Sequence, residues 1–281
     1  MTNKNFILNA DDFGLSNCHN QAVLEGYMNG FLTSASLMAN AVGYENAVHD
    51  ILPDCQNLSI AAHLNIVEGK SLTSVPLLTD SNGNFNKSYA YFIMMQNNKE
   101  FQKQIEQEFR AQIEKIKSDT EVTHIDSHVH THAIPAIFKI TCKLAQEYDI
   151  KAIRTQYEKF YYVPKLNKIA NIKFPINLLK IALLNYFTII NKKILKKYNL
   201  LTNDYILGVG YTAMMDSDTI ECGLKPLGDD TIVEALIHPC KYDNYIKNSH
   251  TDEYLITLDS SLKNEIIRMG YDITNYKNLC L

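Results

Sequence analysis

Seven short runs rich in Val, Ile and Ala, at residues 6–10, 34–39, 58–66, 122–126, 150–154, 205–209 and 233–237, alternate with longer stretches of helical period. Strands separated in this way by helices are the signature of βαβ units and a parallel sheet. The clearest helical stretch is KEFQKQIEQEFRAQIEKIKSD, where Phe101, Ile105, Phe109, Ile113 and Ile116 recur at three- and four-residue steps. That stripe has to pack on a sheet. The expected class is therefore α/β. At 281 residues with no repeat, low-complexity tract or obvious linker, residues 1–281 read as a single domain, and α/β barrels commonly fill this length as one unit.

Two segments stand outside the alternation. TDSNGNFNKS (79–88) carries turn chemistry within a long insertion after the third run, a position suited to a substrate rim. Residues 175–198, PINLLKIALLNYFTIINKKILKKY, are more apolar, but Asn177, Lys180, Asn185 and Thr188 interrupt them before the ~20 apolar residues of a membrane span. The expectation is a helix buried against the barrel or at a subunit interface. A net charge of −4 offers no broad positive field, which argues against nucleic acid or an anionic membrane as the main partner. The start of the chain, MTNKNFILNADDFG, has too short an apolar stretch for an export signal, so a cytoplasmic location is expected. Cys18, Cys55, Cys142, Cys222, Cys240 and Cys280 show no C-x-x-C spacing, which favours reduced thiols over a disulfide frame or a cysteine zinc site.

The chemistry gathers at the ends of the apolar runs. ILNADDFGLS places Asp11 and Asp12 side by side where the first run stops. Neighbouring side chains of an extended segment point to opposite faces, so the two carboxylates are free to do different work. Four of the nine histidines, His124, His128, His130 and His132, fall within HIDSHVHTH; imidazole is the commonest protein ligand for divalent transition ions. His63 in IAAHLNI and His238 in ALIHPC each close an apolar run. A lone histidine in such a place is ordinarily a hydrogen-bonded core residue. Here Asp11 with Asp12, His63, Asp126 with His128, Arg154, and His238 stand at the C-terminal ends of five separate strands, which converge on one face in parallel β/α folds. Arg154, one of three arginines against 24 lysines, could fix a carboxylate in ionised geometry there.

NADDFGLS, AAHLNI, HIDSHVHTH, the strand-end Arg154 and IHPCKYD together resemble the YdjC-like carbohydrate deacetylases, a family that includes chitooligosaccharide deacetylases. The resemblance runs through essentially the whole chain in the same order. It implies an irregular, TIM-barrel-like (β/α) barrel, a homodimer, and a divalent metal, generally magnesium, held by one aspartate and two histidines. By motif position these ligands are Asp12, His63 and His128. Asp11 is then the base, His238 the acid that protonates the leaving amine, and Arg154 the residue that tunes Asp11; the motif alone allows Asp11 and Asp12 to be exchanged. The histidine run reads HVHTH where relatives often have HQHVH or HHHVH, and residues 160–203 match no motif. Two histidines and a carboxylate also suit zinc. The implied reaction is hydrolysis of the acetyl group of an N-acetylated sugar or short oligosaccharide. A barrel-type phosphoesterase would need more metal ligands and more cationic groups, and a catalytically silent sugar-binding relative would be expected to lose the base or the acid.

Overall fold

The computed structural model describes residues 4–242, 244 and 246–280. Each apolar run forms a strand: β1 (Lys4–Phe13), β2 (Ser34–Leu37), β3 (Ser59–Leu64), β4 (His124–Ser127), β5 (Ala152–Ile153), β6 (Tyr205–Leu207) and β7 (Thr231–Ile237). An eighth, β8 (Tyr271–Ile273), came without a sequence signal, because Tyr-Asp-Ile is too short to show a period. All pairings in the sheet are parallel, in the order β5-β4-β3-β2-β1-β7-β6, with β8 alongside the start of β1. The sheet curls until its ends approach. Leu201, just before β6, bridges to Ala152 of β5, and the amide of Ile206 donates to the Tyr157 carbonyl over 2.9 Å. The result is an irregular (β/α) barrel that closes by isolated bonds rather than by a full ladder.

Helices α1 (Asn17–Met28), α2 (Tyr44–Asn46), α3 (Tyr89–Met95), α4 (Lys99–Asp119), α5 (Pro135–Glu147), α6 (Leu166–Ile169), α7 (Lys173–Leu195), α8 (Ser217–Leu224), α9 (Ser249–Leu258), α10 (Ser260–Arg268) and α11 (Tyr276–Leu279) accompany the strands. Asn98 caps α4 by accepting from the Phe101 amide at 3.0 Å, and all five stripe residues are fully buried. At ~1.5–3 kcal/mol for each large apolar side chain, that burial outweighs any single cap. A second, polar row on the same helix fixes the insertion after β3. Glu108 accepts from the amides of Leu72 and Thr73 at 3.0 and 2.9 Å, and Gln112 brackets Asn65. The insertion delivers Tyr89 to the barrel mouth, where it lines a cavity.

One expectation is corrected. Cys18, at the start of α1, is disulfide-bonded to Cys240 after β7, so these two thiols are not reduced; only Cys55, Cys142, Cys222 and Cys280 are free among the described residues. The partners are 222 positions apart, and only the closing of the barrel brings the loops after β1 and β7 together. Thiol titration of the unfolded, unreduced chain should count four reactive groups, and a count of six would contradict the pairing. The apolar 175–198 segment is buried against the barrel along one face: Ile181, Leu184 and Phe187 of α7 face the protein, whereas Ile176, Leu179, Tyr186 and Ile189 are each more than half exposed in the single chain.

Candidate active site

The adjacent aspartates diverge because the backbone makes them. The pairing of β1 with β2 slips between Ala10 and Phe13, and Asp12 takes a positive φ of 63°, a left-handed conformation that few non-glycine residues adopt. Asp11 consequently turns into the barrel and Asp12 toward the histidines.

Asp11 meets Arg154 of the strand-end segment after β5 in a two-pronged contact, Nη1 to Oδ2 at 2.9 Å and Nη2 to Oδ1 at 2.7 Å. Asn9 adds a third donor at 2.7 Å. Burial alone would raise the Asp11 carboxyl, yet the Arg154 guanidinium and His63 hold it below its ordinary value. The same guanidinium contacts Asp126 at 2.7 Å and Glu234 at 2.5 Å, and all four side chains are essentially inaccessible. Tyr276 completes the cluster by donating to Glu234 over 2.6 Å. Asp11 is thus the one carboxylate of the three that also lines the cavity.

Asp12 meets the imidazoles of His128, Nδ1 at 2.8 Å, and His63, Nε2 at 3.3 Å. The other ring nitrogen of His63 lies 2.7 Å from Asp126, and Ser36 donates to the second oxygen of Asp126 at 2.6 Å. A carboxylate behind an imidazole fixes its tautomer and leaves the far nitrogen available as a ligand, the usual arrangement at metal sites. Burial opposes a charge on His63, but Asp126 and Asp12 together raise its pKa to about 10. The pocket between Asp12 and His63 therefore stabilises positive charge, whether a proton or a cation. One donor atom from each of Asp12, His63 and His128 lies within 4.8 Å of the other two, a spacing and donor set that fit a divalent ion.

The four clustered histidines separate. His124 is stacked on Tyr276 in the core, its pKa lowered to about 3 by burial. His132 joins the Ser127 hydroxyl to the Arg154 carbonyl at 2.6 and 2.9 Å, so it props the site without entering it. Val129 and His130 both have positive φ, and this turn after β4 swings His130 to the cavity wall, where its buried Nδ1 has no hydrogen-bond partner among the described residues.

His238, closing β7, faces the same cavity. Burial disfavours its charge, but Glu253 of α9, 3.3 Å from Nδ1, raises its pKa to about 9. A folded-state pKa above the ordinary 6.5 adds stability that is complete below about pH 6.5 and disappears as pH rises through about 9. Urea unfolding in chelator at the two ends of that window should show the loss, and Glu253→Gln should reduce it. An unchanged loss in the variant would mean that the pair contributes nothing. Asp126, Ser36, Glu234 and Glu253 were not assigned site roles from the sequence. Asp126 stood at a strand end, but what it does is visible only once β3 and β4 are in register.

The cavity holds about 330 Å³. Asp11, His63, His128 and His238 supply its polar side, while Tyr89, Val129, Leu183 and Leu184 form an apolar wall. The six residues given metal or catalytic roles from the sequence thus meet at or directly beneath it, Asp12 with His63 and His128, Asp11 with Arg154, and His238 across the cavity.

A family model described as YdjC-like protein matches residues 5–267. A Brevibacillus brevis protein named carbohydrate deacetylase is 39% identical over 146 residues, covering 51% of this chain and 56% of that one. The chain therefore spans little more than half the length of that relative. A Proteus mirabilis protein named chitooligosaccharide deacetylase is 27% identical over 288 residues, covering 97% of this chain and 98% of its own length. Among solved structures, an Enterococcus faecalis protein superposes with a TM-score of 0.76 over 100% of both chains at 21% identity, which is a likeness of fold.

Proposed function

Because the chain belongs to the YdjC-like family, we propose that it is a metal-dependent hydrolase that removes the acetyl group from an N-acetylated sugar or short oligosaccharide. The observation that carries this reading is a single cavity bordered by a three-donor cation site, a buried carboxylate and a histidine held by a glutamate. Asp12, His63 and His128 would hold the ion. A divalent ion bound there supplies Lewis acidity for an acetyl carbonyl and eases deprotonation of water. We take it to be magnesium, as the family resemblance implies, with zinc the alternative that two imidazole donors favour.

The remaining chemistry belongs to the side chains. Asp11, fixed by Arg154 and Asn9, accepts the proton of the attacking water. Two anchored oxygens prevent it from rotating away, which favours transfer at a fixed geometry. Arg154 contacts no substrate and acts by positioning Asp11. His238, kept protonated by Glu253, gives its proton to the departing amine, so that C–N cleavage does not have to expel an amide anion. The apolar wall of Tyr89, Val129, Leu183 and Leu184 suits the acetyl methyl and the apolar face of a sugar ring.

Proton NMR provides the test. Ion-loaded protein incubated with N-acetylated mono- and oligosaccharides should release free acetate. Release of phosphate from a parallel set of phosphosugars would support a barrel phosphoesterase instead, and saturable binding without either product would indicate a silent sugar-binding relative.

A further inference from the structure

Residues 159–203 contain nine lysines and neither an aspartate nor a glutamate, so the net charge of −4, which over the whole chain speaks against an anionic membrane, averages out a strongly basic segment. Most of this segment is α7, which is apolar outside as well as inside, where Ile181, Leu184 and Phe187 are buried. Its inward face carries three asparagines bonded to the barrel: Asn177 to the Thr212 carbonyl, Asn185 to both backbone groups of Glu158, and Asn191 to the Ala133 carbonyl. Its outward face carries Ile176, Leu179, Tyr186 and Ile189, each more than half exposed, and Phe160, Tyr162 and Leu166 are exposed just before it. Apolar patches of this extent on a surface mark an interaction site.

We propose that α7 docks the protein on an anionic phospholipid surface, lying in the plane of the interface with its outward face among the headgroups and upper acyl chains. Charge selects this occupant. Lys165 and Lys168 pair with Asp216 or Asp218, but the other seven lysines of the segment have no ion-pair partner among the described residues. Lys173 and Lys180 flank the stripe, and Lys192, Lys193, Lys196 and Lys197 cluster at its C-terminal end. An apolar face edged by lysine, with aromatic residues beside it, is the composition of an interfacial helix. The rest of the chain is acidic, so a negative surface attracts this face and repels the others. A second copy of the chain fits worse, because two such segments face to face would oppose lysine with lysine and offer no acidic partner. A transmembrane course is excluded by Lys180 at mid-helix and by the asparagine bonds to the barrel.

The position is consequential. Lys180 and Leu183 of the same helix line the active-site cavity, so docking sets the mouth of the site at the lipid–water boundary. The inference stands on the surface alone and does not require the deacetylase reading.

Vesicle flotation of the full chain tests it without any activity readout. The protein should float with phosphatidylcholine vesicles containing one-third phosphatidylglycerol, and neither with phosphatidylcholine alone nor in high salt. A Lys193→Glu/Lys196→Glu/Lys197→Glu variant should bind at least about a hundredfold more weakly. Ile176→Ser/Leu179→Ser/Ile189→Ser should also lose flotation, while both variants keep the parent's unfolding transition because the altered side chains point outward. Failure of the parent to float, or unchanged flotation of both variants, would overturn the proposal. So would a dimer that the serine variant dissociates, which would assign the face to a second copy.

Discussion

Replacing Asp12 with asparagine should abolish turnover at ordinary ion concentrations, and part of it should return as the ion is raised. Replacing Asp11 should cost roughly 10²–10⁴-fold in rate with no recovery at any ion concentration. The two residues are adjacent and both buried, so the contrast rests on where each side chain goes. Asp12 faces His128 and His63 at 2.8 and 3.3 Å, and an amide there weakens ion binding itself, which mass action can offset. Asp11 faces Arg154 and lies outside the donor cluster formed by Asp12, His63 and His128. An amide there leaves the ion in place but cannot accept a proton. Arg154 retains Asp126 and Glu234 in that variant, so gross unfolding is not expected. Metal analysis beside steady-state rates separates the outcomes. Rescue of Asp11→Asn by metal would exchange the two roles, and full activity in both variants would rule out the mechanism.

Arg154→Met should have the largest effect on stability, about 3–5 kcal/mol, as is usual when one member of a buried ionic cluster is removed. The substitution leaves Asp11, Asp126 and Glu234 together in the barrel without their shared cation. Burial already raises Glu234, and without Arg154 it would raise Asp11 and Asp126 as well. Carboxyls whose folded pKa lies above the unfolded value bind protons on folding, so the variant should regain stability as pH falls, opposite to the wild-type behaviour of Asp11 and Asp126. Denaturant midpoints at several pH values measure this. A second change, Glu234→Gln, removes one of the stranded charges and should recover part of the loss. A midpoint unaffected by Arg154→Met would mean that the cluster is not a stabilising unit.

Much of this arrangement is legible in the chain because strand ends in a parallel barrel are spatial neighbours however far apart they lie in sequence. Asp11, His63, Arg154 and His238 could be placed on one face for that reason, and the α4 stripe could be placed against the sheet because five apolar residues at helical spacing leave no other solution. What the sequence did not reveal depends on local dihedrals or long closures. The separation of Asp11 from Asp12 needs the positive φ at Asp12. The different fates of His128 and His130 need two further left-handed residues after β4. Glu234 alternates within an ordinary apolar strand, and only the register of β1 against β7 sets it beneath Arg154. The Cys18–Cys240 bond spans nearly the whole chain, a pairing no spacing rule reaches. For α7 the composition announced an apolar helix but not that its asparagines would share the buried face with Ile181, Leu184 and Phe187, leaving Ile176, Leu179 and Ile189 outside.

Mass spectrometry of an N-acetylated chitooligosaccharide, incubated with protein loaded with one divalent ion, tests the central claim most directly. The account predicts loss of one acetyl group from the sugar, abolished by chelator and restored when the ion is returned. An unchanged sugar, after incubation with protein shown by metal analysis to carry the ion and with the full panel of chain lengths, would contradict it.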